Sequence, residues 1–155
     1  MRKGEDLPSL VISAMGKSGL QLQDGDVVVI TQKVISKAEG MAIDLTDVTP
    51  GRKARRLAKS MSKDPRVVEL ILREAKRVVR SGHGVMITET RHGFVCANSG
   101  VDQSNVDEGY ATILPVDPDS SARRIRRELE KRTGRNVRQY FRSQCQPPPR
   151  KVSGG

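Results

Sequence analysis

The chain has no tryptophan, and its only aromatic rings beyond histidine are Phe94, Tyr110, Tyr140 and Phe141. A stacking platform for unpaired bases needs several interleaved rings, so that mode of nucleic-acid binding is not favoured. No apolar run is long enough to span a membrane, and no signal-peptide core is present, so a cytosolic chain is expected. Cysteine is equally scarce. Cys96 and Cys145 lie far apart with no pairing motif, and neither need be more than a small hydrophobe. Only His83 and His92 could join them around zinc, and no two of these residues have ligand-pair spacing. With 35% hydrophobic and 3% aromatic residues, the core must be built from Val, Ile, Leu and Ala. A length of 155 residues allows one domain at most.

Acidic residues are missing where the chain is most basic. From Arg132 onward there are six cations (Arg132, Arg135, Arg138, Arg142, Arg150 and Lys151) and no carboxylate side chain. Without them, the formal charge of +10 falls to 22 cations against 18 anions. The excess therefore belongs mainly to the tail. A modest positive balance suits small anionic substrates as well as phosphodiesters.

What is present reads as alternating helices and strands. Asp6 can cap a helix from Leu7 to about Met15, with Leu10, Val11, Ala14 and Met15 facing inward, and Gly16 and Gly19 end it. Asp24-Gly25-Asp26 is a turn, and Val27–Thr31 is a continuous apolar strand expected to be buried on both faces. Lys53–Ser60 is a basic helix. Asp64-Pro65 opens another helix, predicted to run to about Arg80, with Glu74 wet and Glu69–Arg73 as a favourable i,i+4 pair. Short strands are predicted at Val85–Thr88, Phe94–Ala97 and Ala111–Leu114. A final helix, Ala122–Arg132, capped by Asp119 or Ser120, buries Ile125 and Leu129 and stops at Gly134. The order implies an α/β-like or α+β body with a mixed sheet and flanking helices.

Two stretches could carry chemistry. In the loop after Ala97, Asp102 stands among Asn98, Ser104 and Asn105. A lone carboxylate there can hold a hard cation, which prefers oxygen ligands. It can equally close an Asx-turn on its own backbone. At the exit of Val27–Thr31, Lys33, Ser36 and Lys37 could meet a phosphate. No glycine-rich arc precedes them, so this is not a Walker A loop, and a solvated lysine pair is the plainer alternative. His92, beside Gly93, is either a proton carrier or a polar turn residue.

Three runs, DGDVVVITQKVISKAEG (Asp24–Gly40), HGFVCANSGVDQSNV (His92–Val106) and LPVDPDSSARRIRRELEKRTG (Leu114–Gly134), closely resemble the coenzyme F420-0:γ-glutamyl ligase family. KDPRVVELILREAKRVVR (Lys63–Arg80) fits the helix between them, and the resemblance covers about Gly4–Asn136 in family order. It implies an α+β, F420 ligase-like fold, present in part over residues 4–136. It also implies a GTP-dependent ligase that adds L-glutamate to F420-0 through an acyl phosphate, using magnesium or manganese, helped by potassium and working as a homodimer. By position, Asp102 falls on a metal-binding aspartate and Asn105 on a nucleotide-contacting asparagine. Lys37 falls on the lysine of the GTP site, with Gln32 and Lys33 on the adjoining nucleotide contacts. No catalytic acid, base or nucleophile is assigned by the match.

The departures fall at both ends. The family's first strand and its GLP segment precede the point where Lys3–Leu7 aligns. After Arg132-Thr133-Gly134 the family continues into an apolar strand ending Ser/Thr-Asp-Thr, which supplies further metal ligands. Here the chain reads NVRQYFRSQCQPPPRKVSGG, with no strand-like run and no acid, so residues 137–155 are expected to be a disordered or frameshifted tail. In the plus-one frame, Arg138–Arg142 can read Val-Ser-Ile-Ser-Asp, similar to the missing strand. The expectation is therefore a ligase by descent, impaired as this polypeptide. The alternatives are a small basic nucleic-acid-binding protein or a non-catalytic remnant that pairs with an intact ligase.

Overall fold

The computed structural model describes residues 3–82, 84–104, 106–142 and 145. The backbone groups into two compact units, the first from Met1–Met41 and Leu114–Arg142, the second from Ala42–Ile113. Helices with both parallel and antiparallel strand pairs make this an α+β fold.

In the first unit, α1 spans Leu7–Lys17, β1 Val27–Thr31, α2 Gln32–Ala38, α5 Pro118–Thr133 and β7 Arg138–Arg142. The core joins Leu7, Leu22, Ile30, Ile35, Ile125, Leu129 and Val137. Burying each leucine or isoleucine contributes about 1.5–3 kcal/mol. On α1 the buried side chains are Leu7 and Pro8, with Val11 and Met15 half-buried, while Leu10 and Ala14 face solvent, contrary to the predicted stripe. Asp6 holds the N-cap position without the expected bond to the backbone; its carboxylate instead accepts from Ser9 Oγ at 2.8 Å and pairs with Arg132 at 2.5 Å. The cap of α5 also differs from expectation. Asp117 accepts from the Ser120 N–H at 2.9 Å, because Pro118 suits the first helical position and needs no donor partner. Gly134 closes the helix at φ 67°, where a side chain would strain the backbone.

The segment predicted to hold no strand-like run contains β7. It lies parallel to β1, in the register Val27↔Arg138, Val29↔Tyr140 and Thr31↔Arg142. The polar turn before β1 fixes this pairing: Asp24 Oδ1 accepts from Asn136 N–H at 2.7 Å, and Asp26 O from Arg138 N–H at 2.8 Å. Residues 143, 144 and 146–155 of the predicted tail lie outside the described residues. Contrary to the prediction, β1 is not buried on both faces, because the core of this unit lies against one face only. Ile30 points into the core at 6% exposure, whereas Val27 and Val29 are 58% and 55% exposed.

The second unit holds β2 (Ala42–Asp44), α3 (Arg52–Met61), α4 (Pro65–Glu74), β3 (Ala75–Gly82), β4 (Val85–Thr90), β5 (Val95–Ala97) and β6 (Tyr110–Thr112). Its core is Leu45, Ala54, Ala58, Met61, Val67, Val68, Leu70, Ile71, Met86 and Ala111, with neighbours of the same kind. Asp64 caps α4 by accepting from the Arg66 N–H at 2.8 Å. The helix stops at Glu74, six residues short of its predicted end, and the chain turns directly into β3. Tertiary pairing overrides the helical period: β-branched Val78 and Val79 suit a strand, and Lys76 and Arg77 meet Glu89 on β4 at 3.2 and 2.5 Å. Glu74, predicted to be wet, is buried and paired with Arg91 at 2.7 Å. Cys96 and Cys145 are disulfide-bonded across a separation of 49 residues, a pairing their spacing did not suggest. Among the described residues, no helix is long and apolar enough to cross a membrane.

Candidate functional site

The predicted phosphate stretch is helical. Thr31 leaves β1 in extended conformation and α2 follows at once, turning Ile35 into the core at 0% exposure and Val34 against it. Gln32 is buried, and Lys33 and Lys37 are half-buried. Four residues apart, the two lysines share one side of the helix, which concentrates positive charge at the strand exit. Ser36 lies between them, fully buried, and its Oγ has no hydrogen-bond partner among the described residues. The structure thus brings Gln32, Lys33 and Lys37 onto one short helix.

Asp102 belongs to the second unit. Its backbone forms a bridge to β6: Asp102 N–H donates to Thr112 O at 3.0 Å, and Thr112 N–H donates back at 2.8 Å. Its carboxylate accepts from Ser104 N–H at 2.8 Å and from Ser104 Oγ at 3.1 Å, the Asx-turn of the plainer reading. The turn also fixes where the carboxylate points, so the two readings are compatible. Asn105 lies outside the described residues. Asn98 serves structure: its Oδ1 accepts from the Met86 N–H at 3.1 Å.

Ser99 was missed by the sequence reading. Asn98 and Ser99 both take φ near 53°, and Gly100 follows at φ 73°, so three left-handed residues in succession turn the chain from β5 toward Asp102. The buried hydroxyl of Ser99 donates to Ile71 O at 2.8 Å, and Ser99 N–H donates to Thr88 Oγ1 at 2.9 Å. The Asn-Ser-Gly run was the available signal, because Asn and Gly tolerate positive φ. His92 stacks on Phe94 with ring centroids 6.0 Å apart, in keeping with a turn residue.

Among the described residues, no three His, Cys, Asp or Glu side chains gather as a metal would require. Asp102 is one carboxylate, and a hard cation takes six or more oxygens, so these residues do not by themselves hold one. A pocket of about 500 Å³ in the first unit is lined by Glu5, Asp6, Glu39, Glu128 and Arg124, among others. Its carboxylates outnumber its one guanidinium, so it repels phosphate, and neither Lys33 nor Lys37 lines it.

The sequence pattern of the F420-0:gamma-glutamyl ligase family matches residues 1–138. The chain belongs to that family. It is similar to the coenzyme F420:L-glutamate ligase of Methanothermobacter thermautotrophicus, 49% identical over 134 residues, with 86% of this chain and 53% of the relative covered. The ligase of Methanocaldococcus jannaschii is 53% identical over 116 residues, covering 75% and 46%. That of Methanopyrus kandleri is 48% identical over 137 residues, covering 88% and 52%. The chain thus spans about half the length of these ligases, and both the α2 lysines and the Asp102 loop fall within the family match.

Proposed function

We propose that this chain carries one half of a ligase that joins L-glutamate to coenzyme F420-0 through a γ-glutamyl amide bond at the expense of GTP. The observation that supports it is the family match from residue 1 to 138, which includes both candidate stretches. The γ-phosphoryl group of GTP passes to a carboxylate oxygen of F420-0, releasing GDP. The glutamate amine then attacks the acyl carbon, and phosphate leaves as the amide forms and the amine gives up a proton. In this reading Lys33 and Lys37 offset the negative charge of the phosphates, and Gln32 and Asn105 orient the nucleotide. Asp102, held by Ser104, is the residue this chain would give to a magnesium or manganese ion. The other oxygens that ion needs come from beyond the described residues, with potassium as an accessory cation.

The reading concerns binding first and turnover second, because one carboxylate does not complete a phosphoryl-transfer centre. Calorimetric titration of GTP with Mn²⁺ into the full chain is expected to show metal-dependent binding. Asp102→Asn should weaken it at least tenfold while the turn at Ser104 persists, since the amide oxygen can still accept from the Ser104 N–H. A folded chain that binds no GTP with Mn²⁺ overturns the reading and leaves ancestry alone.

A further inference from the structure

The two cysteines of the chain are bonded to each other, and no free thiol remains. Cys96 is the middle residue of β5, buried at 4% exposure, and its backbone stands opposite Thr88 of β4. β5 has three residues and lies at the edge of the β3–β4–β5 sheet, with β4 as its one strand neighbour among the described residues. A short edge strand opens readily, because few ladder bonds hold it. This one nevertheless leads into the left-handed run Asn98, Ser99 and Gly100 that delivers the chain to Asp102. Thr88 ties the strand to that turn: its hydroxyl donates to Cys96 O at 3.2 Å and accepts from the Ser99 N–H at 2.9 Å. The Cys96 sulfur is therefore bonded at the residue where the approach to Asp102 is anchored.

We infer that the Cys96–Cys145 bond is a reversible redox site: formed, it clamps the turn that holds Asp102, and reduced, it leaves β5 to its short ladder. The inference is independent of the nucleotide reading. Two observations favour a switch over a permanent staple. The second unit has its own apolar core, with Leu45, Met61, Ile71 and Met86 buried, so it does not need a disulfide as a domain too small to build a core does. The pair is also the chain's whole complement of cysteine, so the two thiols released by reduction have one intramolecular route back. The co-reactant is a low-molecular-weight disulfide. One protein thiolate attacks a sulfur of that reagent, its S–S bond breaks, and one small thiol leaves with a proton. The second protein thiolate then attacks the mixed disulfide, forming the Cys96–Cys145 bond and releasing the other small thiol. Two protein thiols are oxidised, and one reagent disulfide is reduced to two thiols. An excess of small thiol runs the same steps in reverse.

The test equilibrates the full chain over a series of reduced-to-oxidised glutathione ratios. Free thiols are alkylated and counted by mass spectrometry, and amide hydrogen exchange is followed in the reduced and oxidised forms. The expected result is one transition between two free thiols and none, within a single chain and reversible when reductant is restored. Amides from Val95 to Asp102 should exchange at least tenfold faster in the reduced form, whereas those of Val68 and Ile71 in α4 should change far less. Cys145→Ser leaves Cys96 and its strand in place and should exchange like the reduced parent at every ratio. The reduced parent supplies the same comparison without a substitution. A folded, reduced chain that forms no intramolecular bond at any ratio overturns the inference. So does a bond whose reduction unfolds the second unit by circular dichroism, or whose loss speeds exchange in α4 as much as in β5, since either result would make it a structural staple.

Discussion

Glu69 shows how one carboxylate can secure two elements. Its Oε2 accepts from the Gly51 N–H at 3.0 Å, satisfying a donor where α3 begins, while Oε1 accepts from Arg73 Nε at 3.2 Å one turn along α4. The Gly51 amide, and after it Arg73, holds this carboxyl below the usual glutamate value of 4.5. A group whose pKa is depressed by folding stabilises the folded state fully above its unfolded value. That contribution is lost as pH falls through the folded one. Glu69→Gln should therefore lower stability most at neutral pH, by about 1 kcal/mol. In urea titrations across pH, the gap between variant and parent should narrow below pH 4.5. Ser99 is the corresponding case for a neutral group. Ser99→Ala removes a buried donor to Ile71 O and keeps the left-handed backbone, and should cost about 1–3 kcal/mol. Ser99→Gly loses the same bond but relieves the positive φ, so it should unfold at higher denaturant than the alanine variant.

At the scale of elements, β7 combines a firm backbone position with an awkward side chain. Gln139 stands beside Val28, on the face of the pair that meets the core. Both atoms of its amide are buried with no hydrogen-bond partner among the described residues. An unsatisfied buried amide costs about 1–3 kcal/mol, and valine both suits a strand and adds apolar contact. Gln139→Val should therefore stabilise the chain by about 1–3 kcal/mol in urea unfolding, with an unchanged dependence on denaturant. Gln139 also explains why β7 was illegible. Arg-Gln-Tyr-Phe-Arg has no apolar alternation, and its pairing is set by Asp24 and Asp26, more than a hundred residues earlier. The helix α5 was legible because Ile125 and Leu129 recur at helical spacing, whereas β3 was not. Its valines continue the period of α4, and only the partner strand β4 decides against the helix. At the candidate site the Asx-turn of Asp102 is local and readable. The support of Ser99 comes from Ile71 and Thr88, which no local pattern links to it.

At the scale of the whole molecule, charge separates the proposed nucleotide reading from a nucleic-acid one. A net +10 would suit duplex DNA if the cations were displayed together, but the ion pairs distribute them otherwise. On α5, Arg124 pairs with Glu39, Arg126 with Glu130, and Arg132 with both Asp6 and Glu128, so the helix face that the DNA reading needs is partly neutralised. Lys76, Arg77, Arg73 and Arg91 are likewise matched with carboxylates in the second unit. A phosphodiester lattice would have to displace those partners, whereas the proposed nucleotide reading asks only for a short cluster of charge such as α2 carries at Lys33 and Lys37. Each phosphate contact contributes about 0.9 to the slope of log affinity against log salt. Duplex DNA binding by the full chain should therefore have a slope shallower than about −3, corresponding to three contacts or fewer. Fluorescence anisotropy over a salt series measures it. A slope of about −6 or steeper would show that the basic residues act together on a polyanion, and would move the assignment from ligase to nucleic-acid binding. A shallow slope together with Mn²⁺-dependent GTP binding would favour the nucleotide reading, with paired cations such as Arg77, Arg124 and Arg132 serving the surface of their own unit.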